Sequence, residues 1–125
     1  MKILKEKYLE LMQEKLNAMN EMLATTESQI FTGTESLVEA EAKAFADYYK
    51  LRVGYFAQIK KIEEAMESLD PLDEKDIADA AFTAKVVGFR EKMISVAREM
   101  ALLDEANVAA YNKISAHLRK DENNA

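Results

Sequence analysis

Few side chains in this sequence have the type and spacing that chemistry demands. His117 is the only histidine and cysteine is absent. A carboxylate-bridged di-iron site in a helical bundle needs Glu-x-x-His on two helices, with four carboxylates and two histidines turned inward. The residue three before His117 is Ile114, so the ligand set is incomplete. His117 reads instead as a residue near a helix C-terminus, where positive charge suits the helix dipole. Gly33, Gly54 and Gly88 stand alone, which leaves no glycine-rich phosphate loop. With no thiol and a single imidazole, the usual nucleophile-and-base pairs are hard to assemble. The acidic neighbours Glu63-Glu64 and Asp73-Glu74 fit solvated faces or first helical turns. No enzyme, no metal and no cofactor is expected.

Two polar residues sit where apolar ones belong. Arg52 falls on an apolar seam between Tyr49 and Phe56. Its simplest role is a snorkelling side chain whose stem packs while the guanidinium reaches water, with stacking on Tyr48 or Tyr55. The alternative is a register device or partner anchor, since a charge in a seam can fix alignment. Asn107 poses the same choice further along the chain. The seven methionines fit gap-filling in a core, or alternatively an adaptable binding surface.

The elements that position these residues are helical, because apolar spacing alternates between three and four almost throughout. Leu9, Met12, Leu16, Met19, Leu23, Thr26 and Ile30 make one seam, which predicts a helix over about residues 3–31. Thr32-Gly33-Thr34-Glu35-Ser36 interrupts it with a glycine and two overlapping capping boxes, Thr32 with Glu35 and Ser36 with Glu39. A second helix, 36–69, continues through Phe45, Tyr48, Tyr49, Arg52, Tyr55, Phe56, Ile59, Ile62, Met66 and Leu69, read as one core-facing side rich in aromatics. Asp70-Pro71-Leu72-Asp73 ends it, because proline cannot continue the hydrogen-bond ladder, and Asp73 can cap the next helix. The third helix, 74–120, keeps the strictest pattern, from Phe82 through Val86, Met93, Val96, Met100, Leu103 and Asn107 to Ile114. Val87, Ile94, Ala101 and Val108 form a parallel stripe one residue on, wide enough for a second neighbour. Gly88 lies off the main seam and allows a kink, and the alternative to one continuous helix is a break at Gly88 or within Asp73 to Ala84 that folds the C-terminal end back onto the core. The polar tail 121–125 is expected to fray.

Composition agrees with this reading. The 125 residues are 49% hydrophobic and 32% charged, with three glycines and one proline, as in helical bundles. The expectation is an all-α fold, a single domain over 1–125, built as an antiparallel bundle of three long helices with coiled-coil-like packing. A net charge of −6 opposes approach to phosphate backbones, so nucleic acid is not an expected partner. No apolar run approaches the roughly 20 residues of a membrane span, and the charged start, Met1 to Lys7, is unlike a signal peptide. With no cysteine to suggest an oxidising compartment, a cytoplasmic protein without membrane insertion is expected.

Length points to a surface. At about 1.5 Å per residue the three helices span roughly 44, 51 and 70 Å, so the third outruns the others. It passes the Thr32 to Glu35 turn near Asn107 and then projects. Tyr111, Ile114 and Leu118, with Val108 beside them, share one face there and are the expected partner-binding residues. An uncovered apolar stripe is a partner site or the seam of a homodimer.

Two segments carry a family resemblance. Phe45-Ala46-Asp47-Tyr48-Tyr49-Lys50-Leu51-Arg52, followed by Tyr55-Phe56-Ala57-Gln58-Ile59, resembles the mid-chain pattern of flagellar export chaperones of the FlgN and FliT type. Leu102-Leu103-Asp104-Glu105-Ala106-Asn107 resembles the Leu-Asp-x-x-Asn element opening their last helical stretch. The likeness spans nearly the whole chain, and the aromatic second helix is a departure from it. It implies a chaperone that binds late flagellar export substrates, hook-associated or filament-cap proteins, keeps their terminal helices unassembled and delivers them to the export apparatus. The competing class is a structural or regulatory coiled-coil homodimer.

Overall fold

The computed structural model describes residues 3–29 and 31–124, and all of its regular structure is helical. Ile30, expected to end the first seam, lies outside the described residues. Three long helices, α1 (Leu4–Ser28), α2 (Val38–Glu67) and α4 (Ala80–Asn124), are joined by a 3-10 turn at Glu35–Leu37 and a short α3 (Glu74–Ala78).

Each boundary has a local cause. Near the end of α1, the Thr25 and Ser28 hydroxyls donate to the carbonyls of Glu21 and Thr25, at 3.0 and 2.8 Å. Such back-bonding offers the chain an alternative to further helical turns. Gly33 then adopts φ 71°, and a β-carbon there would stand 2.7 Å from Cβ of Lys113. Both the left-handed conformation and the contact with α4 require glycine. The expected capping box of Ser36 with Glu39 does not form, since no side chain caps α2 at its N-terminus. Thr32 instead turns to Glu41, whose carboxylate accepts from the Thr32 amide, the Thr32 hydroxyl and the Gly33 amide at 2.7, 2.7 and 3.1 Å. One carboxylate thereby organises the whole turn. Burial pushes the Glu41 carboxyl upward, but the bonds from Thr32, Gly33 and Thr34 outweigh it and hold the group below its ordinary value.

The third predicted helix is two helices. Asp73 does cap α3, in a reciprocal box with Asp76. The break falls at Asp79, whose ψ of 105° is extended, and not at Gly88, which lies inside the continuous α4. The Asp79 carboxylate accepts from the Phe82 amide at 3.1 Å and from Lys5 Nζ at 2.8 Å, capping α4 and tying it to the start of α1. The hydrogen bond from Lys5 leads in holding the Asp79 carboxyl low. The last helix, α4, runs to Asn124.

Contacts set the directions. Lys5 meets Asp79, Tyr8 packs edge-on to Phe82 with ring centres 6.0 Å apart, and Asn107 meets Gln29, so α1 and α4 run the same way. Thr25 meets Tyr55 and Lys15 meets Glu63, so α2 runs opposite to both. The main core collects Leu16, Met22 and Leu23 of α1, Ile59 and Ile62 of α2, and Val96 and Met100 of α4. Met12, Phe82 and Val86 close one end of the molecule, and Phe31, Tyr48 and Ala110 the other. Every described methionine is buried or half-buried, which favours gap-filling over an adaptable surface. Val87, Ile94 and Val108 are 45, 51 and 56% exposed, so the stripe expected to reach a second neighbour is left uncovered along much of its length.

Candidate partner-binding groove

α1 packs closely on both α2 and α4, whereas α2 and α4 touch each other less. A polar cluster spans their gap. Arg52 on α2 grips Asp104 on α4 with both terminal nitrogens, Nη1 to Oδ1 and Nη2 to Oδ2, the second at 2.9 Å. Arg52 Nη1 also donates to the Tyr48 hydroxyl at 2.6 Å. Tyr48 in turn lies 3.4 Å from Oγ1 of the fully buried Thr26 on α1, whose own proton goes to the Met22 carbonyl at 2.8 Å. The Tyr48 hydroxyl, 3.4 Å from both Thr26 on α1 and Asp104 on α4, therefore joins the three long helices.

The guanidinium does not reach water as a snorkelling side chain would. Its side chain is 12% exposed, with the Tyr48 ring centre at 5.6 Å and that of Phe56, in place of Tyr55, at 5.4 Å. The Asp104 hydrogen bond leads in raising the Arg52 pKa, against the opposing effect of burial. Arg52 Nε is buried with no hydrogen-bond partner. Register is the role this geometry fits, because a bidentate fork accepts one alignment of α2 on α4.

Asn107 acts on the turn. Buried to 4% exposure, it accepts from the Phe31 amide at 3.3 Å and donates to the Gln29 carbonyl at 3.4 Å. The helix does pass the α1–α2 turn at Asn107, as its length predicts, but the turn continues over α4 instead of releasing it. Gly33 lies against Ala110 and Lys113, and Phe45 of α2 stacks on Tyr111 with ring centres 4.7 Å apart. Ile114, expected on the partner-binding face, is 1% exposed and belongs to the interior. α2 and α4 pair at Arg52–Asp104 and Phe45–Tyr111, and extending that register places Val38 beside Leu118. Projection of α4 as a bare helix thus begins near Leu118, which is 38% exposed, and not at Asn107.

The open surface lies between α2 and α4. Val108 and Tyr111, two of the expected residues, are 56 and 45% exposed on its α4 side. Tyr49 and Phe56, at 62 and 53%, face them from α2. Tyr49, Phe56 and Val108, with Phe45, Tyr48 and Asn107 and the Arg52–Asp104 pair, line a cleft of about 270 Å³. It continues into a second hollow of about 390 Å³ formed by Ala42, Phe45, Ala46, Tyr49 and Tyr111. A further hollow between α1 and α2 is walled by Glu14, Glu21, Gln58 and Lys61, which is a solvated seam.

Sequence reasoning assigned Tyr49 and Phe56 to the core and missed the groove. A signal was present in the adjacent pairs Tyr48-Tyr49 and Tyr55-Phe56, spaced by seven. Neighbours on a helix point about 100° apart, so both members cannot face one partner. Asp104 was also missed as the partner of Arg52.

Among the described residues no three His, Asp or Glu side chains form a group that could hold a metal ion, and no helix is long and apolar enough to cross a membrane. Comparison of the chain with family models, curated proteins and solved structures gives no match.

Proposed function

We propose that this protein is a helical protein-binding chaperone that receives a helix of its client in the groove between α2 and α4. The observation that carries this reading is the row of exposed aromatic and branched side chains, Tyr49, Phe56, Val108 and Tyr111, each 45% or more exposed. Contiguous apolar surface on a folded domain marks a place where something else binds. A trough between two neighbouring helices has the shape in which amphipathic helices dock. α1, α2 and α4 form a three-helix bundle with coiled-coil-like seams in this reading, and the client supplies a fourth helix. The resemblance to flagellar export chaperones names the client class: a terminal helix of a late export substrate, a hook-associated or filament-cap protein, held unassembled in the cytoplasm.

Calorimetric titration with purified terminal segments of such substrates from the native host tests this. Binding at one-to-one stoichiometry is expected, together with its loss in Tyr49→Ala and Phe56→Ala proteins that keep their helical signal and melting temperature. Binding that survives both substitutions would move the site elsewhere. No binding by any such segment would remove the client class.

A further inference from the structure

The groove leaves one exposed stripe on α4 unexplained. Val87, Ile94, Ala101 and Val108 recur every seven residues, each one residue past the inward seam of Val86, Met93, Met100 and Asn107. Neighbours on a helix point about 100° apart, so the stripe looks sideways out of the bundle. It runs about 32 Å along α4 and shares only Val108 with the cleft. Glu91, Arg98, Glu105 and Asn112 lie four residues past the stripe residues, about 40° further round, and all four are exposed. Leu102, on the far edge of the same outer face, is 69% exposed. Among the described residues neither Arg98 nor Glu105 makes an ion pair.

This face complements itself in one orientation. When a second copy of α4 is laid on it antiparallel, with the twofold axis at Ala101, residues equally far from Ala101 in opposite directions stand opposite one another. Ile94 then meets Val108 of the second copy, and Val108 meets its Ile94. Arg98 and Glu105, three residues before and four after the axis, form two reciprocal pairs, and Glu91 faces Asn112. No like charges are opposed. A parallel pairing would set Arg98 on Arg98 and Glu105 on Glu105. An isologous contact requires this kind of self-complementarity, and Ala101 is small enough at the centre for the two helices to approach closely. We infer that a second copy of this chain docks on the outer face of α4, the two α4 helices running antiparallel about Ala101. Burial of Ile94 against Val108 supplies the non-directional gain, and the Arg98–Glu105 pairs fix orientation and register.

The chain has no cysteine, so single introduced thiols report the pairing without interference. Under mild oxidation Ala101→Cys should run as a linked dimer on a non-reducing gel, because a disulfide forms where Cα atoms lie within about 7 Å. Ile94→Cys and Val108→Cys should each stay unlinked alone and link to one another when mixed. Ile94→Cys linked to itself would show a parallel pairing, and no linkage in any of these proteins would show that the two helices do not meet. Either result overturns the proposal. Sedimentation equilibrium of the full-length, cysteine-free protein should show a dimer that Arg98→Glu weakens about tenfold, through loss of two exposed ion pairs. Adding Glu105→Arg should restore it, each variant being checked for an unchanged melting temperature. A monomer would overturn the proposal. So would a dimer that ignores Arg98→Glu and dissociates in Phe56→Ala, since that would seat the second copy in the α2–α4 groove.

Discussion

The two faces of α1 and the face between α2 and α4 solve the same packing problem differently. Along α1, side chains at heptad spacing interlock with both neighbours, and Met12, Leu16, Ala18 and Met22 are each 4% exposed or less. Between α2 and α4 the contact is narrower. It is made by a charged fork, Arg52 on Asp104, and by ring stacking of Phe45 on Tyr111, while the flanking aromatics stay in water. An interface closed by apolar packing is satisfied and needs no further partner. One held by a polar clasp at fixed spacing keeps its apolar walls apart and available.

Truncation of core side chains should separate the two faces most sharply. Met22→Ala is expected to cost about 2–5 kcal/mol in urea unfolding, and Ile114→Ala a similar amount, since both leave cavities. Phe56→Ala and Tyr49→Ala should each cost less than about 1 kcal/mol, as for other surface positions. A cost for Phe56→Ala equal to that for Met22→Ala would mean that the groove is closed in solution.

Removing the clasp comes next. Arg52→Met would strip the Asp104 carboxylate of its bidentate partner and leave it only the Tyr48 hydroxyl at 3.4 Å, at an expected cost of about 1–3 kcal/mol, less than for a fully buried pair because Asp104 reaches solvent. Arg52→Met combined with Asp104→Leu should recover most of that loss in the same assay. No change on Arg52→Met alone would return Arg52 to a snorkelling role.

Two glycine substitutions should then differ in sign. Gly33→Ala must hold a left-handed residue against Lys113 and should lose about 1–2 kcal/mol. Gly88→Ala meets nothing within 4 Å inside α4 and should gain up to about 1 kcal/mol. Equal effects would show that the turn does not rest on α4.

The smallest effect is acid dependence. The Glu41 carboxyl titrates lower in the folded chain than its ordinary value of 4.5, so its stabilisation is complete above that pH and is lost as pH falls through the lowered folded value. Glu41→Gln should flatten the decline of melting temperature below pH 4.5 and leave the slope above it unchanged. A decline as steep as that of the parent protein would show that Glu41 contributes nothing to the turn.

Local pattern alone determined a good deal here. Seam spacing located three long helical segments, Pro71 ended the second, Asp73 capped the next element, and helix length brought Asn107 to the α1–α2 turn. Each of these follows from period, from proline's missing donor or from rise per residue, which neighbours in space do not alter. Other features were decided only when the helices met. Asp79 broke the third segment because its carboxylate found both the Phe82 amide and Lys5, a residue 74 positions away. Ile114 became core because the turn around Gly33 lay over α4. Tyr49 and Phe56 became surface because Arg52 spent its charge on Asp104 and set the spacing of α2 and α4. A hydrophobic period says that a face seeks cover, but which face receives it depends on how many neighbours arrive and how closely they approach.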